Sequence, residues 1–178
     1  MKATTLILGV GLALAFSTSF AADKEKSDKP RSADELFIGA AADAHMAEVE
    51  LGKLAEKNGA KEEVKTFGRQ MVREHGKANE NLKRVAAKMK TTFPDKVRPR
   101  RQFKIDKMSK MSGAEFDTTY VITTAQNHEK TVAGFEKARS EVTNPDLKKF
   151  IDDTLPVLKK DLEMAKKMQS AKPPPAVP

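Results

Sequence analysis

Four stretches of this chain set apolar residues at alternating steps of four and three, the spacing of a helix that buries one stripe. One runs Val64, Gly68, Met71, His75, Ala78, Leu82, Val85 and Met89. Before it come Phe37, Ala41, Ala44, Glu48, Leu51 and Ala55. After it come Val121, Ala125, His128, Val132 and Phe135, then Leu147, Ile151, Leu155, Leu158, Leu162 and Ala165. No helix buries such a stripe alone, and four bury theirs together, so the expected fold is all-α, a four-helix bundle. Composition agrees: there is no Trp and one Tyr, and β-branched residues are few beside Ala, Lys, Glu, Leu and Met. Zero Cys excludes a disulfide scaffold, a Cys-ligated metal, a thiol nucleophile and a lipobox-type anchor.

Local signals bound the helices. Ser32-Ala33-Asp34-Glu35 reads as a capping box, and Asn58-Gly59 as a left-handed stop. The second helix is expected from Lys61 to Lys90. Ser112-Gly113-Ala114-Glu115 repeats the capping box and opens a third helix reaching Thr143. Asn144-Pro145-Asp146 supplies a cap, a proline at the first helical position and an acid at the positive end of a fourth. That helix runs to Gln169, with Pro156 inside it expected to bend it. Pro173-Pro174-Pro175 forbids more helix.

Ahead of the bundle, Lys2, an apolar run from Leu6 to Phe16 and the small-residue exit Ser17 to Ala22 have the layout of a signal peptide. Cleavage is expected after Ala21. The domain plan is therefore a signal peptide over 1–21, a polar linker over 22–31, the bundle over 32–169 and a Pro-rich tail over 170–178. The full chain carries a formal net charge of +8, and losing the leader removes only Lys2, so the exported form stays basic.

Tight turns join the first helix to the second and the third to the fourth, making two antiparallel hairpins. Thr91 to Met111 separates them. A thirty-residue helix is about 45 Å long, and some twenty extended residues reach about 66 Å. The link can thus traverse the whole bundle, the long crossover found in one class of four-helix fold. Phe103, Lys107 and Met111 would share a face if it formed a short helix. The alternative is an up-down-up-down bundle with a floppy loop.

Ionisable residues interrupt the stripes at similar depth: Glu48 in the first helix, His75 in the second, His128 in the third, and Asp161 at the edge of the fourth. A lone buried carboxylate is costly, so compensation is expected from a hydrogen-bonded network, water or a metal. Two imidazoles and two carboxylates suit zinc, iron or manganese. His45 is an additional candidate one turn before Glu48. A metal-free histidine–carboxylate network that fixes helix register explains the same residues. Met46, Met71 and His75 would make a softer site if brought together, although methionines at such spacing ordinarily fill gaps in a core.

Arg98, Arg100, Arg101 and Lys104 lead a cationic cluster in the crossover. It suits an anionic lipid or lipopolysaccharide surface, or is simply a solvated face of a basic protein. Nucleic acid is not expected as a partner, since Phe103 is the cluster's sole aromatic residue for stacking. No Ser or Thr stands in a motif that activates a hydroxyl, so no enzymatic role is expected.

Several segments together resemble a known family. They are Ala47-Glu48-Val49-Glu50-Leu51-Gly52-Lys53-Leu54-Ala55; Phe67 and Met71-Val72 through His75 to Ala78-Asn79; Ser112 to Asp117 with Tyr120-Val121 and His128-Glu129-Lys130; and Leu155-Pro156 with Leu162-Glu163-Met164-Ala165. The likeness spans Asp34 to Met168. It is to exported bacterial ferritin-like proteins grouped as a domain of unknown function and often described as outer-membrane or periplasmic. It implies a ferritin-like bundle and an envelope location, and little about activity. The family's usual fourth-helix histidine is replaced here by Asp161. The di-iron Glu-x-x-His pair of true ferritins is missing, His45-Met46-Ala47-Glu48 being its reverse, so ferroxidase chemistry is not expected.

Overall fold

The computed structural model describes residues 30–170. The expected signal peptide, most of the linker and the Pro-rich tail beyond Ser170 lie outside the described residues. Five helices follow in order: α1 (Ala33–Asn58), α2 (Glu62–Lys88), α3 (Pro99–Met108), α4 (Gly113–Glu141) and α5 (Pro145–Ser170). The four long ones are the predicted bundle, and α3 lies within the crossover.

Helix ends follow sequence in part. At α1 the capping box forms: Glu35 N–H donates to Ser32 Oγ at 3.2 Å, and Ser32 N–H to Glu35 Oε2 at 2.9 Å. Asn144 Oδ1 accepts the amides of Asp146 and Leu147 at the start of α5. The second expected capping box does not form, because Gly113 enters α4 at φ 65° and Ser112 makes no side-chain cap. Gly59 is extended, at φ −64° and ψ 143°, rather than left-handed. Its place is explained by space instead: a Cβ there would stand 2.7 Å from the Ala55 carbonyl oxygen. The left-handed stop occurs after α2, where Lys90 takes φ 53° and Thr91 N–H bonds back to the Ala86 carbonyl at 2.9 Å.

Three buried aspartates report the path of the chain. Asp117, early in α4, accepts the Ala60 and Lys61 amides of the α1–α2 turn at 2.9 and 3.0 Å. Asp34, at the start of α1, accepts the Thr143 amide and hydroxyl and the Asn144 amide of the α4–α5 turn. Midway, Asp43 accepts the Arg98 amide at 2.7 Å and Arg101 Nε at 2.8 Å from the start of α3. The crossover thus leaves the end of α2, passes the middle of α1 and reaches the α1–α2 turn, traversing the bundle as ferritin-like topology requires. It is not a floppy loop. Its helix buries Ile105 and Met108, while Phe103 is 72% exposed and Lys107 is also outward. The expected Phe103–Lys107–Met111 face is therefore not the inner one.

Within the first hairpin the backbones touch. A Cβ on Gly52 would lie 2.7 Å from the Gly68 carbonyl oxygen, and one on Gly68 2.7 Å from Ala55 Cβ. The core divides into two apolar clusters. One gathers Phe37, Leu82, Phe135, Leu147, Phe150 and Ile151; the other gathers Leu51, Val64, Phe67, Met71, Phe116 and Tyr120. Each such buried side chain stabilises the fold by roughly 1.5–3 kcal/mol. Met46 packs against the first cluster and Met71 lies within the second, so the two methionines serve different halves of the core.

Candidate metal centre

The seams of α1, α2, α4 and α5 bring ionisable side chains into the bundle interior. Glu48, His45, His75, His128 and Asp161 are all buried, with Asp161 and His45 wholly so. Asp161 is not at the edge of its stripe. The inward face of α5 runs Leu147, Ile151, Thr154, Leu158, Asp161 and Ala165, leaving Leu155 and Leu162 half-buried.

Three of these groups converge. His75, His128 and Asp161 each present one ligand atom, and the three atoms lie within 4.8 Å of one another. His75 Nε2 and His128 Nε2 are 3.2 Å apart; two nitrogens on one tetrahedral ion, at about 2.0–2.1 Å each, would be about 3.3 Å apart. Asp161 Oδ2 stands 3.8 Å from His75 Nε2 and 4.0 Å from His128 Nε2.

Neighbours orient each member. His128 Nδ1 is 3.0 Å from the Thr124 carbonyl, which only accepts, so Nδ1 carries a proton and Nε2 is the atom turned inward toward His75 and Asp161. His75 Nδ1 meets His45 Nδ1 at 2.8 Å, one donating to the other. His45 is itself walled by the edges of Phe135 and Phe150. Gln70 Nε2 donates to Asp161 Oδ1 at 3.0 Å and to Glu74 Oε2 at 3.2 Å. Asp161 Oδ2 has no hydrogen-bond partner among the described residues.

Burial sets the charge states. It pulls His45 down to about 3, aided by the charge of His128, and holds His75 well below the usual histidine range, aided by His45 and His128. Both rings are thus neutral near pH 7, the form that binds metal. Asp161 is pushed up to about 7 by burial first and then by the nearby Glu74 carboxylate. A cation would reverse both penalties. An orphaned carboxylate oxygen beside two inward-facing imidazole nitrogens is a donor set that fits a divalent ion.

Glu48 stands outside this cluster. Asn127 Nδ2 donates to its Oε1 at 3.0 Å, and its Oε2 is without a partner among the described residues. Burial raises Glu48, against the opposing influence of His128, Asn127 and Arg101. His45 is likewise not a direct member; it holds His75. Gln70, Thr124 and Asn127, which orient Asp161, His128 and Glu48, are missed by stripe reading, since Gln70 and Asn127 lie beside the stripes and Thr124 acts through its carbonyl.

The cationic candidates separate too. Arg101 and Arg98 engage Asp43, at 2.8 and 3.2 Å, while Arg100 and Lys104 are exposed. Among the described residues no helix is long and apolar enough to cross a membrane.

These features define an all-α, ferritin-like bundle with a polar layer between two apolar clusters. Residues 17–168 match the family described as "Domain of unknown function (DUF4142)", and the chain belongs to that family. No curated protein matches the sequence. Among solved structures, a "DUF305 fragment from Deinococcus radiodurans" is similar in fold, with a TM-score of 0.69 at 7% identity, covering 79% of this chain and 98% of that one.

Proposed function

We propose that this is an exported, non-enzymatic envelope protein that holds one divalent metal ion in its bundle centre. The observation that carries the reading is the convergence of His75 Nε2, His128 Nε2 and Asp161 Oδ2 within 4.8 Å. The charged start, apolar run and small-residue exit of the first 21 residues support export. Two imidazoles and one carboxylate suit zinc, iron or manganese and leave a coordination position open. When bound, the ion would supply positive charge between two imidazole nitrogens and a carboxylate oxygen, in place of the proton that the nitrogens share. Around it, Gln70 steadies Asp161, His45 steadies His75, and the Thr124 carbonyl fixes the tautomer of His128. Elemental analysis of the mature protein against a His75→Ala/His128→Ala double variant tests this. About one equivalent is expected in the former and none in the latter; equal content in both ends the proposal.

A second reading is docking on anionic lipid or lipopolysaccharide, with a metal-free polar core. Phe103, 72% exposed between the exposed Arg100 and Lys104, favours it, since an aromatic flanked by cations suits a membrane interface. Co-sedimentation with lipopolysaccharide across a salt series should show binding that weakens as salt rises. Binding indifferent to salt would count against it.

A further inference from the structure

The crossover helix does more than close the bundle: where α3 lies against α1 and α4 it leaves a cavity of about 180 Å³. Arg100, Arg101 and Lys104 line it from α3, and Thr123, Asn127 and Lys130 from α4. Of the four cations, Arg101 is engaged by Asp43. Arg100, Lys104 and Lys130 form no ion pair among the described residues. Three uncompensated cations from two separate helices around one concavity repel each other, and the fold does not neutralise them. Two carboxylates touch lining residues without lining the cavity: Asp43 bonds Arg101, and the buried Glu48 accepts from Asn127. No carboxylate is among the lining residues, while Thr123 offers a hydroxyl and Asn127 an amide.

We propose that this cavity binds a compact oxyanion, of the size and charge of a phosphate group. Its volume is below that of the usual drug-sized site and suits a group as compact as one phosphate. Arginine and lysine donors from facing helices, with Thr123 and Asn127 between them, give charge-assisted contacts from several directions. Arg101 bonds Asp43 through Nε and also lines the cavity, so its guanidinium is held in place before any anion arrives. The proposal is independent of the metal centre. It differs from membrane docking in needing Lys130 of α4 and in not needing Phe103.

Isothermal titration calorimetry of the mature protein with inorganic phosphate, at constant ionic strength set by chloride, tests it. Saturable one-to-one binding with a dissociation constant of about 1 mM or tighter is expected. Lys104→Gln and Lys130→Gln should each weaken it about tenfold. Lys107→Gln, which removes the same charge from an exposed position of α3 outside the cavity, should leave it unchanged. Circular dichroism confirms that the exposed substitutions leave the fold intact. A parallel arm uses phosphatidylglycerol vesicles. Capture by vesicles with no saturable phosphate signal would assign the cations to a lipid surface and overturn the cavity. So would absence of binding in both arms, or equal weakening by all three substitutions.

Discussion

Asp34, Asp43 and Asp117 are buried, as Glu48 and Asp161 are, yet the two sets are treated differently. In the first set every carboxylate oxygen accepts a hydrogen bond, chiefly from backbone amides of turns and from arginine. In the second, one oxygen of each is bonded and the other has no partner among the described residues. Buried side chains of one chemistry thus serve two purposes. The satisfied ones clamp loops onto helices. Those with an open valence gather at mid-bundle beside imidazoles, where their desolvation is not repaid by the protein itself.

Substitutions can sharpen that contrast. The largest effect is expected for Asp117→Ala, which orphans the Ala60 and Lys61 amides; two charge-assisted bonds lost should lower urea stability by about 3–4 kcal/mol. Metal content per folded molecule should not change. Asp43→Ala frees solvent-accessible arginines rather than burying them unpaired, so its cost is about 2 kcal/mol, with faster amide exchange across Pro99–Met108. A central carboxylate should behave in the opposite sense. Asp161→Asn is expected to raise the stability of the metal-free protein by about 1 kcal/mol, because an uncompensated buried charge disappears. It should also abolish the thermal shift that zinc gives the native chain, worth about 2.7 kcal/mol at a hundredfold excess over the dissociation constant. A destabilised Asp161→Asn protein that keeps its zinc shift would erase the distinction between the two sets.

The subtlest effect to read is a slope. His45 is held at about 3 when folded and returns to its ordinary value near 6.5 when unfolded. Between those values the unfolded chain binds the extra proton, so this residue's contribution is intact above about pH 6.5 and is lost as pH falls, at about 1.4 kcal/mol per unit. Asp161, raised to about 7, works in the other direction between its unfolded and folded values, being protonated in the fold first. His45→Gln in the metal-free protein should therefore flatten the acid side of the stability curve relative to the native chain. An unchanged slope in urea titrations from pH 6.5 to 4.5 would show that His45 does not titrate on unfolding.

Periodicity made the four long helices, both hairpins and the traversing crossover legible, because alternating steps of four and three survive any detail of packing. It also marked Glu48, His75 and His128 as inward, and set Asp161 at the edge of a stripe whose inner face it in fact occupies. It failed where a helix has more than two neighbours. α1 is covered by α2, α3 and α4, so Ala41 to His45 are all buried and a single stripe does not describe it. That is why His45 looked peripheral and proved to be the support of His75. Which ionisable groups meet depends on side-chain reach and helix rotation, and these place Asp161 on the two histidines and Glu48 on Asn127. The capping signals misled at Ser112 and Gly59 because glycine admits several conformations and several reasons for its presence.

The contact between Gly52 and Gly68 carries one more consequence. Gly52 follows His45 by seven residues, and Gly68 precedes His75 by seven, so in an antiparallel pair the two contacts share one alignment, about 10 Å apart along the rods. Backbone pressed on backbone cannot slide by a turn without collision. The glycines therefore act as a ruler for the imidazoles: lengthening either by a methyl group would be felt two turns away, as a gap opening between His45 and His75.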